Sequence, residues 1–169
     1  PCLYGAIREQ MDILDENKIE YAVCPGVSSF CGAAAALNLE YTLPNVSQSV
    51  IITRMAGRTP VPEKESIESF ASHNATMVIF LSTSMLEELS KRLVSGGYKK
   101  ETPTAIVYKA TWSDEKKIIC TVETLAEKAK ENGITKTALI IVGNVLEGEY
   151  ERSKLYDPYF TTEFRKGLE

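Results

Sequence analysis

Apolar residues recur first at three- and four-residue steps. Tyr4, Ile7, Met11 and Leu14 mark one stripe of "LYGAIREQMDILDEN", the spacing of an amphipathic helix. The rhythm then shortens, and "IEYAVCPG" reads as a short strand ending in a Pro-Gly turn. "SSFCGAAAALN" returns to helix. Ser28 or Ser29 can cap it, and its alanines suit close packing against a neighbour. "LEYTLPNVSQ" holds Pro44 and no periodicity, and reads as a linker.

After the linker the same alternation resumes. "SVIITRM" is a strand, and "AGRTPVPEKES" a loop whose Pro62 suits a first helical turn. "EKESIESFASH" is a short helix. "ATMVIFL" is nearly all apolar, as a strand buried on both faces should be. "TSMLEELSKRLVSGG" carries Leu86, Leu89 and Leu93 on one stripe, with Ser84 and Glu87 spaced as a capping box and Gly96 as the stop. "PTAIVYKA" and "KKIICTV" are strands. "ETLAEKAKENG" is a helix with Leu125 and Ala129 inward and Gly133 just past its end. "TALIIVGNVL" is the last buried strand, and "EYERSKLYDPYFTTEFRKGLE" an irregular tail. Strands alternating with helices predict an α/β fold. "TWSDEKK" is too short for a crossover helix, so the strands it joins pair antiparallel and the sheet is mixed.

Charge and composition narrow the partners. The 169 residues carry 19 Lys and Arg against 23 Asp and Glu, a net charge of −4. That argues against nucleic acid, whose binding needs a concentrated basic surface. No apolar run approaches the roughly 20 residues of a membrane helix, and no secretory leader pattern is visible. Cys2, Cys24, Cys31 and Cys120 form no CxxC pair, so reduced thiols in a cytoplasmic protein are expected. With His73 the single histidine, no metal site is expected.

Three stretches could carry chemistry, and each also has an ordinary structural explanation. "CPGVSSF" joins a strand end to a helix start, where unpaired N–H groups attract anions; a plain turn with an N-cap has the same pattern. "TRMAGRTPVPE" offers Arg54 and Arg58, suited to a ligand with several carboxylates; they could equally pair with Glu63 and Glu65. "YKATW" could let a flat ligand approach the backbone at Ala110; it also reads as a hairpin. His73 has no partner in the sequence. Asp114 and Glu115 are adjacent rather than opposed, and Ser28 and Ser29 have no histidine to activate them.

Taken in order, "PCLYGA", "VCPGVSSF", "TRMAGRTPVPE", "ATMVIFLS", "PTAIVYKATWSDE", "TALIIVGNVL" and "SKLYDPYF" resemble the tetrapyrrole methylases, which use S-adenosylmethionine in cobalamin and sirohaem synthesis. "GRTPVPE" and "SKLYDPYF" are similar to the branch that methylates C11 of precorrin-4, with or without cobalt. The resemblance implies two α/β domains with a cleft between them. Residues 1–39 would end the N-terminal domain, 40–47 link, and 48–169 form the C-terminal domain. It also implies that the chain opens inside a Gly-Asp-Pro motif, with about a third of a family member preceding Pro1. A chain without that wall is expected to bind the methyl donor weakly or not at all.

The resemblance assigns cofactor contacts to Leu3, Ser28, Ser29, Leu81, Ala110 and Ala138. Leu81 stands where many relatives have methionine. Arg54 and Arg58 would reach the acetate and propionate groups of the macrocycle. No catalytic residue is assigned, because a sulfonium is an activated donor and positioning supplies much of the rate. A homodimer is implied as well. The alternative is a binding or dimerisation module without catalysis.

Overall fold

The computed structural model describes residues 1–148, 150–151 and 156–168. Five strands form one mixed sheet: β1 (Val50–Arg54), β2 (Thr76–Phe80), β3 (Pro103–Tyr108), β4 (Lys116–Thr121) and β5 (Ala138–Val142), in the order β1-β2-β5-β3-β4. Only β1 and β2 are parallel. β5 runs antiparallel to both β2 and β3, and β3 is antiparallel to β4 as the short connection requires. β2 and β5 are buried at every position, which matches their central places and unbroken apolar sequences.

Helices cover both faces. Alternate side chains of the central strands serve two cores, because a strand's side chains point to opposite faces. Met77, Ile79, Ile106 and Ile140 pack under α3 (Ile67–Ala71), α4 (Leu86–Gly96) and α5 (Leu125–Glu131), joining Leu89, Leu93 and Leu125. Val78, Phe80, Ala105, Val107 and Ile141 form the other core with Ala33 of α2 (Ser29–Leu37). Tyr41 ties α2 to the sheet. The Tyr41 hydroxyl donates to the Phe30 carbonyl (2.7 Å), and Thr76 Oγ1 donates to the Tyr41 carbonyl (2.8 Å). Lys117 Nζ donates to the Ala36 carbonyl (2.8 Å), a cation against the C-terminal end of α2.

Several local expectations change. The first helix, α1 (Ile7–Glu16), forms as its stripe predicts but buries no residue fully. "IEYAVCPG" is not a strand: residues 19–27 are exposed and join no strand ladder among the described residues. A strand exists only through a ladder partner, which its own sequence does not supply. "EKESIESFASH" splits into a 3₁₀ turn (Glu63–Glu65) and α3, because the Ser66 hydroxyl accepts from Ser69 N–H (3.2 Å) and starts a new helix there.

Ser84 and Glu87 form no capping box. Ser84 lies within a 3₁₀ turn (Thr83–Met85), and α4 starts without a side-chain cap. Gly96 is the last residue of α4 rather than its stop; Gly97, at φ 126°, takes the positive backbone angle. Gly133 follows α5 at φ 67° as expected. Of "SKLYDPYF", residues 153–155 lie outside the described residues, and 156–160 are exposed and contain no strand or α-helix.

Candidate functional site

One end of the sheet gathers the chemistry. There β2 and β3 finish, β5 begins and the N-terminus of α2 arrives. A cavity of about 230 Å³ opens among Ser29, Phe80, Leu81, Thr83, Val107, Lys109, Ala110, Trp112, Thr137, Ala138 and Leu139. Its floor is the sheet itself, from Phe80, Val107 and Leu139. Ala110 and Ala138 keep part of the wall low, so a flat ligand could lie close to the backbone.

The backbone around this cavity is unusual. Leu81 (φ 52°), Lys109 (φ 46°), Thr111 (φ 72°) and Thr137 (φ 57°) all adopt the left-handed region, which non-glycine residues visit at a cost of about 1–3 kcal/mol each. Such strain persists only where the surroundings hold it, and it concentrates at functional sites.

The holding contacts are visible. Ser82 Oγ accepts from Met55 N–H (2.9 Å) and donates to the Phe80 carbonyl (2.7 Å). Thr83 Oγ1 donates to the Ala138 carbonyl (3.2 Å). Lys109 N–H donates to the Thr137 carbonyl (2.9 Å). A methyl group on Gly32 of α2 would stand 3.3 Å from Thr111 Cγ2, so the helix lies close against this turn.

Asp114 and Glu115 both serve the hairpin between β3 and β4. Lys109 Nζ pairs with Asp114 (2.6 Å), and Glu115 accepts from Thr111 N–H (2.7 Å). The Lys109–Asp114 hydrogen bond raises the lysine's pKa and lowers the aspartate's, so both stay charged. The Lys109 ammonium also lies 5.1 Å from the Tyr108 ring centre and 5.2 Å from that of Trp112.

Of the six cofactor positions assigned by resemblance, Ser29, Leu81, Ala110 and Ala138 line this cavity. Ser28 precedes α2 as its N-cap, though its hydroxyl makes no capping bond. Leu3 packs against the α2-side core. Its neighbour Tyr4 packs against Phe80 with ring centres 5.4 Å apart and planes tilted by 52°, which brings the N-terminal residues beside the cavity. Burial raises the Tyr4 phenol's pKa, with the Arg54 charge pulling it back.

Arg54 is engaged with its own loop, donating to the carbonyls of Met55 (3.1 Å), Thr59 (3.3 Å) and Pro60 (2.9 Å). Arg58 is exposed in that braced loop, and His73 is exposed on the surface. Sequence reasoning singled out Ala110 in "YKATW" but passed over Lys109 and Trp112 on either side. Thr83 and Thr137 carried no sequence signal, since their relevance comes from strands distant in the chain.

A family model described as tetrapyrrole (corrin/porphyrin) methylases matches residues 1–126. The chain belongs to this family. It is 54% identical to a cobalt-precorrin-4 C(11)-methyltransferase of Methanocaldococcus jannaschii, the match covering 98% of this chain and 64% of that protein. The same-named protein of Priestia megaterium is 44% identical over 99% of this chain and 67% of its own length. The chain thus spans about two thirds of the length of these relatives. Among solved structures it resembles a cobalt precorrin-4 methyltransferase described as a cobalamin biosynthetic enzyme, with TM-score 0.85 and 42% identity over 88% of this chain and 62% of that one. A Thermus thermophilus uroporphyrin-III C-methyltransferase complexed with S-adenyl homocysteine shares the fold at TM-score 0.71 and 22% identity, over 86% of this chain and 63% of that one. No described helix is long and apolar enough to cross a membrane.

Proposed function

We propose that the protein methylates C11 of precorrin-4, as the free macrocycle or its cobalt complex, with S-adenosylmethionine as donor in cobalamin biosynthesis. One observation carries this reading beyond family membership. Ser29, Leu81, Ala110 and Ala138, far apart in sequence, line a single cavity in a chain 54% identical to a cobalt-precorrin-4 C(11)-methyltransferase.

The cavity fits part of the donor. Its volume of about 230 Å³ falls below the roughly 300 Å³ at which pockets for whole drug-sized ligands begin. It therefore suits the nucleoside portion, with the remainder extending toward the open side. Small side chains at Ala110 and Ala138 admit a planar ring, and the apolar floor excludes water from one of its faces. The N-terminal end of α2, with Ser28 and Ser29, favours an anionic group such as a carboxylate.

The bound donor supplies a sulfonium already activated for methyl transfer. What the chain supplies is orientation, in a pocket whose backbone is preset by strain and buried hydrogen bonds. Arg54 shapes the 55–60 loop, and Arg58 on that loop is available to macrocycle carboxylates. The proposal includes the division into residues 1–39, a 40–47 linker and 48–169, a cytoplasmic location and a homodimer.

The test supplies the protein with the donor and cobalt-precorrin-4 and follows the product by mass spectrometry. Gain of one methyl group, mapped to C11 by NMR, is the expected result. Donor binding without transfer to any tetrapyrrole would favour the non-catalytic reading instead.

A further inference from the structure

The residue that most changes the cavity's chemistry is Trp112, the chain's single tryptophan. It lines the cavity yet remains 62% exposed. At the cavity edge the indole therefore presents a large open aromatic face, a surface on which a planar ligand can stack. Its setting is also well organised. Trp112 N–H donates to the Lys109 carbonyl (3.0 Å), and Glu115 N–H donates to the Trp112 carbonyl (3.1 Å). The Lys109 ammonium lies 5.2 Å from the indole centre, within cation–π range. Asp114 holds that ammonium at 2.6 Å.

We propose that Trp112 is the stacking wall for the donor's nucleobase, with Lys109 and Asp114 as positioning residues that set the indole's pose. This rests on the methyl-donor reading above. The ligand chemistry follows from the cavity. A planar π-system fits between a low alanine wall and an indole, and about 230 Å³ admits a nucleobase with its sugar but not a tetrapyrrole. The left-handed residues Lys109 and Thr111 flank Ala110 and turn the chain sharply, so that the indole two residues on faces the same cavity as Ala110.

The experiment titrates S-adenosylhomocysteine into the unmodified protein and into W112F and W112A, by calorimetry and by tryptophan emission, with W112F identifying the Trp112 signal. Adenosine, homocysteine and a tetrapyrrole are titrated separately. Trp112 emission should change saturably with S-adenosylhomocysteine and adenosine but not with homocysteine. W112A should weaken binding about 5- to 150-fold, the range of base–aromatic stacking energies, while W112F retains most of it. K109M and D114N should shift the ligand-free emission of Trp112 and weaken binding less than W112A. Equal thermal unfolding midpoints would confirm that the variants fold.

Binding of S-adenosylhomocysteine with unchanged Trp112 emission and undiminished W112A affinity would overturn the stacking wall and leave the donor reading standing. Quenching by the tetrapyrrole but not by adenosine would overturn it in favour of a substrate contact. Absence of any S-adenosylhomocysteine binding to the unmodified protein would overturn the donor reading and the stacking wall together.

Discussion

Cys120 shows how tertiary context sets a residue's chemistry. Its neighbours in "KKIICTV" say only that it lies in a strand, whereas the fold seals it in the core with Val122 and Leu125. Burial pushes its thiol up from 9.0 to about 11, with the Lys128 charge opposing more weakly. Cys2, Cys24 and Cys31 are exposed. The unfolded chain therefore gives up this proton first as pH rises. The stabilisation is full below about pH 9 and is lost as pH climbs toward 11. Urea midpoints measured between pH 8.5 and 10.5 should fall more steeply for the natural protein than for C120A. Parallel declines would contradict a buried thiol. A thiol reagent at pH 8 should likewise leave Cys120 unmodified until the chain unfolds.

The same scale holds the strain around the cavity. Leu81 keeps a left-handed backbone with its side chain 69% exposed, an arrangement that packing alone does not reward. Its position is imposed by the Ser82 and Thr83 hydrogen bonds to Met55, Phe80 and Ala138. Phe80 is local, but nothing in "FLSTS" announces Met55 or Ala138, which come from just past β1 and from the start of β5.

At the scale of elements, the contact between α3 and α4 depends on one missing side chain. A Cβ on Gly96 would fall 2.5 Å from the Ala71 Cβ and 2.6 Å from the Glu68 carbonyl oxygen. Neither neighbour is the far end of a flexible side chain, so the helices would have to separate. G96A should cost about 1–3 kcal/mol, although alanine is the better helix former. Chemical denaturation checks this, and an unchanged or raised midpoint would show that the helices slide apart freely. The sequence suggested a stop signal at Gly96; the structure makes it a packing residue and passes the turn to Gly97.

At the scale of the whole molecule, burial is uneven. β2, β3 and β5 form the centre of the sheet between two helical layers. α1 has no buried residue, and the segment after it exposes Ile19, Tyr21 and Val23. Opening free energies follow buried apolar contact. In hydrogen exchange, amides of β2 and β5 should exchange slowest and those of α1 fastest among the helices. Protection of α1 equal to that of β5 would contradict this ordering.

The sequence by itself determined the elements and the class of fold. Hydrophobic period is a local property, and it sufficed for α1, α4, α5 and all five strands, because their apolar spacing matches the helical or extended repeat, while α2 was legible from its serines and its run of small residues. The short "TWSDEKK" link even settled one antiparallel pair by length alone. What only the tertiary structure decided was pairing and convergence. "IEYAVCPG" has a strand's composition but no ladder partner among the described residues. Ser29, Leu81, Ala110 and Ala138 are separated by 28 to 52 positions in the chain, yet they share one cavity through the β1-β2-β5-β3-β4 order. Trp112 gained meaning only when Lys109 and Asp114 fixed its pose at that cavity's edge. Strand order and side-chain convergence arise from contacts distant in sequence, and no local pattern encodes those contacts.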